Sequence, residues 1–281
     1  MFAPARRGGI AGEPTMLTDA LPLRRPLAFL DLETTGIAVE RDRIVELALL
    51  VVHPNGREDE NVFRVNPGMP IPLGASRVHG IYDRDVAGRP PFAALARTLD
   101  VLLTGCDLAG FNIVSYDLPL LEHEFRRCGL TFNRSGRALI DVMTLFHRKE
   151  RLERRDLAAA VRHYCGREHV GAHSALADAR ATAEVLQRQL ERYPDAPREV
   201  AALEAYCRQA QSDRFVEPSG RLKRRGGVVV LGFGKHFGVP LETVAREDPD
   251  YLRWMLDADF SEAVKAEVRS ALRRHAPPGF R

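Results

Sequence analysis

Residues 29–36 read FLDLETTG. The preceding and opening residues, PLAFL, are apolar and predict a buried strand over 26–32. Side chains alternate across a strand, so Asp31 and Glu33 fall on one face. Two carboxylates side by side at the end of a buried strand repel each other and lose hydration. The arrangement is costly unless something positive sits between them, so the rest of the chain must supply a reason for it.

Outward from that strand, RIVELALLVVHPNGRE predicts a second strand over about 43–53, with Asn55-Gly56 as a hairpin turn and ENVFRVNPG as the return strand. Three successive antiparallel strands make a meander. PGMPIPLGASRVHGIYDRDV is rich in Pro and Gly and reads as a loop with short helical turns. Helices follow in PPFAALARTLDVLLTG, closed by Gly105, in SYDLPLLEHEFRRCG, closed by Gly129, in DLAAAVRHYCG, closed by Gly166, and in HSALADARATAEVLQRQLERY. Short strands fall between them in DLAGFN and at the start of ALIDVMTLFHRK. Strands first, then strands alternating with helices, predict an α/β fold with a mixed β-sheet flanked by helices. The expected division is a poorly ordered extension over 1–24, a main domain over 25–194, a helix and basic linker over 195–226, and a small C-terminal module over 227–281.

The 281 residues are 45% hydrophobic and 28% charged, which suits a globular chain with a core that needs no disulfides. A net charge of +3 is compatible with a polyanionic partner but argues for one only weakly. Cys106, Cys128, Cys165 and Cys207 are far apart and form no CxxC pair, so reduced thiols in a cytoplasmic protein are expected, and zinc is not. No apolar run approaches the ~18 residues of a membrane span, and no membrane partner is expected. No apolar stretch follows Arg6 and Arg7, so a secretory leader is not expected either, and Met16 is an alternative start.

Three further groups stand out. Asp117 lies at a helix start just after GFNIVSYD begins, His173 precedes the long helix, and Asp178 follows five residues later. Each alone has a bland role: Asp117 as a cap or dipole partner, His173 as a structural or exposed ring, Asp178 on a solvated helix face. The set is different. Mg²⁺ and Mn²⁺ prefer carboxylate oxygens, and acids drawn from a strand end and two helices suit two such ions ~3.5–4 Å apart. Those ions would neutralise the repulsion between Asp31 and Glu33, and the imidazole of His173 is the type of group that accepts a proton from an attacking water.

FLDLETTG, GFNIVSYDLPLL and HSALADA, in that order within residues 26–192, resemble the three motifs of the DEDDh, or DnaQ-like, 3′-to-5′ exonuclease family. The resemblance implies an RNase H-like fold and hydrolysis from 3′ ends to nucleoside 5′-monophosphates. It implies Asp31, Glu33, Asp117 and Asp178 as ligands of two Mg²⁺ or Mn²⁺ ions and His173 as the general base, its spacing to Asp178 marking the His subtype. Thr34, Thr35 and Gly36 match the turn whose backbone approaches the terminal nucleotide, and Asn112 matches the polar residue opening the second motif. His79, in RVHGI, either lines the substrate site or is structural. Tyr116 stands where the family commonly has Phe and is expected to fill the same apolar slot.

The implied partners are single-stranded nucleic-acid 3′ ends, with DNA favoured, and a separate polymerase if the role is proofreading. An exoribonuclease and a catalytically silent polymerase-partner module stay open as alternatives. Phe111 and Tyr82 are candidate stacking residues. In the C-terminal module, GFGKHFGVPLETVAREDPDYLRWML resembles a small domain of exonuclease X-like proteins. Its Lys235 and His236 either present a cation to phosphate or sit in a turn that needs glycine. Tyr251 and Trp254 are expected in the core, and RLKRR at 221–225 either follows a nucleic-acid backbone or is a solvated linker.

Overall fold

The computed structural model describes residues 16–275, apart from 151, 153, 155, 215, 217–219, 226 and 259. A short helix α1 (Leu17–Ala20) leads into strands β1 (Leu27–Thr34), β2 (Ile44–Val52) and β3 (Glu58–Arg64). Helices α2 (Leu73–His79), α3 (Asp83–Val86) and α4 (Phe92–Leu103) precede β4 (Asp107–Gly110) and α5 (Asp117–Arg127). Then come β5 (Leu139–Asp141), α6 (Val142–Lys149), α7 (Leu157–Cys165), α8 (Ala175–Arg192) and α9 (Val200–Arg214). The chain continues through β6 (Leu222–Arg225), β7 (Val228–Leu231), α10 (Leu241–Glu247), α11 (Pro249–Asp257) and α12 (Glu262–His275).

Five strands form one sheet in the order β3-β2-β1-β4-β5. The first three pair antiparallel, as the Asn-Gly turn predicts, while β4 and β5 add parallel to β1. The sheet is therefore mixed, with helices on both faces. The helix stops read from glycine hold: Gly105, Gly129 and Gly166 all have positive φ just past α4, α5 and α7.

Alternation along β1 decides what sits where. Leu27 and Phe29 pack into the layer built by α6, α7, α8 and α9, while Ala28, Leu30 and Leu32 pack into the layer built by α4 and α5. Asp31 and Glu33 continue the odd-numbered series, so they fall on the face covered by α8. That helix also carries Asp178 in its first turn. Pairing β1 with β2 and covering it with α8 thus delivers acids from distant segments to one strand end.

Two expected segments differ in structure. Of the extension over 1–24, residues 1–15 lie outside the described residues, but Leu17, Leu21 and Leu23 are buried in the same core as Phe29. Within the expected linker, Leu222–Arg225 is a strand paired antiparallel with β7, and Leu222 is fully buried. The basic stretch is half of a hairpin because its one leucine can enter the core that α10, α11 and α12 complete. Among the described residues, no helix is long and apolar enough to cross a membrane.

Candidate active site

Asp31, Glu33 and Asp178 each offer a carboxylate oxygen, and the three oxygens lie within 4.8 Å of one another. Asp117 stands beside this group. It is the first residue of α5, follows an N-cap, Tyr116, that makes no side-chain cap, and is buried. Its carboxyl acts on Asp31 rather than on solvent.

The electrostatics follow from this crowding. Burial, then the charges of Asp117, Asp178 and Glu33, hold the Asp31 carboxyl well above the usual range. Burial and Asp178 push Glu33 up to about 8. Burial also pushes Asp117 up to about 7, partly offset by backbone N–H bonds at Asp117 and Leu32. Among the described residues, no lysine or arginine pairs with Asp31, Glu33, Asp117 or Asp178. Glu46, across the ladder from Glu33, has one: Arg64 donates to its Oε2 at 2.6 and 3.0 Å. Its Oε1 accepts from the Ala175 N–H at 3.3 Å, which ties the start of α8 to β2.

His173 is exposed and has φ +66°, and its backbone N–H donates to Asp178 Oδ2 at 3.3 Å. Asn112 has φ +69°, and its N–H donates to Asp141 Oδ1 at 3.2 Å. Among the described residues, these two are the non-glycine positions with positive φ. Such backbone costs of order 1 kcal/mol and persists where the surroundings enforce it. Asp141 enforces the second: buried, it caps α6 by accepting from the Thr144 N–H at 3.2 Å. Burial raises its own carboxyl to about 6.

The turn after β1 is held from beneath. Thr34 Oγ1 donates to the Gly36 carbonyl at 2.7 Å. Thr35 Oγ1 donates to Asp42 Oδ1 at 2.9 Å and accepts from the Arg43 N–H at 3.0 Å. Thr34 and Thr35 are both buried, so these bonds fix the turn from within the fold. A Cβ at Gly36 would meet the Asp42 carboxylate at 2.6–2.8 Å, so glycine there makes room for Asp42. His79 closes α2 with Nε2 donating to the Thr34 carbonyl at 3.2 Å and Nδ1 accepting from the Ile81 N–H at 3.1 Å. Burial lowers its pKa, which fits that neutral tautomer.

Two side chains do more than the sequence reading assigned. Tyr116 does fill an apolar slot, but its hydroxyl also lies 2.6 Å from both Thr34 Oγ1 and the Gly36 carbonyl, and burial raises its pKa to about 12. It fastens the turn to α5 as phenylalanine cannot. His169, which no motif marked, is almost fully enclosed, and its Nε2 donates to Asp178 Oδ1 at 2.5 Å. The signal available for it was a second imidazole four residues ahead of His173. Of the candidate stacking residues, Phe111 packs against the core and Tyr82 lies under Arg84, 4.9 Å from its ring centre.

The oxygen-only donor set suits a hard divalent cation. Three acids held together, with Asp31 and Glu33 raised above the usual carboxylate range by burial and mutual repulsion, gain from one. The residues present therefore fit such a group.

The RNase_T exonuclease family model matches residues 28–186. A DNA polymerase III subunit epsilon-like protein of Rhodobacter capsulatus is 34% identical over 106 residues, covering 37% of this chain and 15% of that protein. DNA polymerase III subunit epsilon of Pasteurella multocida is 30% identical over 111 residues, covering 37% of this chain and 43% of that one. The chain thus spans less than half of either relative. Among solved structures, E. coli exonuclease I in complex with a dT13 oligonucleotide superposes with a TM-score of 0.56 at 17% identity, over 85% of this chain and 61% of that one. Exonuclease I from Methylocaldum szegediense gives 0.54 at 22% identity, over 69% and 44%. With the mixed sheet and the family model in agreement, the chain belongs to the RNase_T exonuclease family, with its DnaQ-like, RNase H-like fold.

Proposed function

We propose that this protein is a 3′-to-5′ exonuclease dependent on Mg²⁺ or Mn²⁺ that releases nucleoside 5′-monophosphates from single-stranded 3′ ends, with DNA as the favoured substrate. The observation that carries the reading is the group Asp31, Glu33 and Asp178, within 4.8 Å and beside Asp117, with which no lysine or arginine among the described residues pairs. These four acids would hold two ions. When bound, the ions supply positive charge against the scissile phosphate and lower the pKa of an attacking water.

The chain's own residues do the rest. His173, exposed and held at positive φ beside Asp178, takes a proton from the attacking water on a ring nitrogen. The water oxygen bonds to phosphorus, the bond from phosphorus to the 3′ oxygen of the penultimate nucleotide breaks, and that oxygen takes a proton from solvent water to leave as a 3′-hydroxyl. The backbone of Thr34, Thr35 and Gly36 packs against the terminal nucleotide, held by Tyr116 and His79 from behind. Asn112, rigid over Asp141, lines the approach.

DNA is favoured because the solved neighbour was captured with an oligothymidylate and two relatives carry DNA polymerase names. The same names support a polymerase as a separate partner, in proofreading or repair. Four free cysteines favour the cytoplasm. The test is digestion of 5′-labelled single-stranded DNA and RNA of matched sequence, with Mg²⁺, with Mn²⁺ and with chelator. A metal-dependent ladder shortening from the 3′ end, faster on DNA and absent in Asp31→Ala, is expected. Metal-independent cleavage, or a ladder unchanged in Asp31→Ala, would sink the reading.

A further inference from the structure

The C-terminal module carries a surface that hydrolysis does not use. From Gly220 to Leu241 the chain holds Arg221, Lys223, Arg224, Arg225 and Lys235 and no Asp or Glu. Strand alternation sorts these cations. Leu222 turns into the core, so Arg221, Lys223 and Arg225 project from the opposite face. All three meet the glycine-rich loop over 232–238. Arg221 lies 5.1 Å from the Phe233 ring centre, Lys223 lies 5.1 Å from that of Phe237, and the Arg225 guanidinium is 3.5 Å from where a Cβ on Gly238 would sit.

Aromatic rings continue the same surface. Phe233 stacks towards Tyr251 at 6.4 Å, Tyr251 towards Trp254 at 5.3 Å, and Trp254 towards Phe260 at 5.7 Å. Helical spacing predicts Tyr251 and Trp254 in the core. Instead Trp254 is 50% exposed and Phe237 is 58% exposed, while Leu252 and Met255 fill the core from α11. The loop glycines serve this packing: a Cβ at Gly234 would meet the Tyr251 hydroxyl at 2.3 Å.

Lys235 and His236 do not provide the charge. Both bind Asp248, at 2.7 and 2.9 Å, and those bonds hold the Asp248 carboxyl down at about 2. The loop's own cation is neutralised within the module, whereas Arg221 and Arg225 are exposed. A row of cations beside two exposed rings matches a strand whose phosphates run in a line and whose bases are free to stack. A duplex hides its bases, and a neutral apolar partner would not need the row.

We infer that this face binds single-stranded nucleic acid, with bases stacked on Trp254 and Phe237 and phosphates along Arg221, Lys223 and Arg225. It tethers the strand whose 3′ end is degraded, and that last step rests on the function proposed above. Tethering raises the local concentration of the end at the site.

Trp254 is the only tryptophan in the chain, so its emission reports the contact directly. The full chain in chelator, titrated with a fluorescein-labelled oligothymidylate of about 20 nucleotides, should show anisotropy rising and tryptophan emission quenched along one curve. Trp254→Ala with Phe237→Ala should weaken binding on the order of 10-fold or more. Replacing Arg221, Lys223 and Arg225 by Ala should lower the log–log salt slope by about 2. Emission unmoved by saturating oligonucleotide would overturn the inference. So would unchanged affinity and salt slope in both variants, or a self-association lost in Trp254→Ala without any effect on oligonucleotide binding. Hydrolysis of the p-nitrophenyl ester of thymidine 5′-phosphate, which carries one nucleotide, separates this from the function above. Its absence in the wild type, with quenching intact, counts against the exonuclease alone; its presence without quenching counts against the platform alone.

Discussion

Glu124 and Asp31 are both buried acids of the same domain, and they are treated in opposite ways. Glu124, 1% exposed, receives a two-pronged bond from Arg43 at 2.6 and 3.1 Å and a third from Arg127 at 3.1 Å. Asp31 faces Asp117, Asp178 and Glu33, and every one of them pushes its pKa up. A buried carboxylate with arginines around it is structural: it locks the turn after β1 onto α5. A cluster of carboxylates that no lysine or arginine among the described residues pairs with is a standing cost, and folded chains keep such costs where a ligand relieves them.

The contrast breaks most visibly at Asp31. Asp31→Asn should lower metal-dependent nuclease activity by about 10³-fold or more, since charge stabilisation of several kcal/mol disappears. Its metal-free melting temperature should not fall, because a repelling charge has gone. A metal-free protein clearly destabilised by this change would mean that Asp31 has a partner after all.

The same acids set a pH window. Free carboxyls ionise near 4, whereas folded Glu33 and Asp117 hold their protons to about 8 and about 7. Their contribution to stability is therefore full below about 4 and is lost as pH rises through 7 to 8, because the native state binds more protons than the unfolded state. Without metal, Glu33→Gln should gain in melting temperature over the wild type as pH goes from about 5 to 8. The stabilisation given by Mg²⁺ or Mn²⁺ should be larger at pH 8 than at pH 6. Equal gains at both values would count against the raised carboxyls.

On the paired side, Arg43→Ala leaves Glu124 buried with one arginine in place of two. Urea unfolding should show a loss of about 3 kcal/mol. A loss below about 1 kcal/mol would make Glu124 as tolerant of solitude as the site acids are. His169 tests the border between the two kinds of acid, because it bonds to a site carboxylate from an enclosed position. His169→Ala should reduce activity or metal affinity about 10- to 100-fold, as expected for a group that orients a ligand. Metal titration followed by melting separates that from simple unfolding. The smallest effect is at Tyr116: Tyr116→Phe keeps the ring and should cost about 1 kcal/mol. A larger loss in activity than in stability would show that the hydroxyl places the turn over 34–36 for substrate.

Much of this was legible in the chain. The apolar run before Asp31, the Asn-Gly turn and the glycine stops carry local geometry, and local geometry depends on near neighbours that the sequence displays. The period of two along β1 placed Asp31 and Glu33 on one face with no further information, and the three motifs set out the acids, His173 and Asn112. What the chain could not display was pairing at a distance. Arg43 and Glu124 stand 81 residues apart, and whether a buried acid has a cation depends on which helix covers which strand. His169 reaches Asp178 only because its ring is enclosed beside the start of α8, and Tyr116 finds the Gly36 carbonyl across 80 residues. The C-terminal module shows the same limit. Helical spacing cannot tell the core side of α11 from its open side until β6 and α12 take up one of them. Sequence periodicity determined which residues share a face; tertiary packing alone decided which face was covered, and so which charges and rings were left to act.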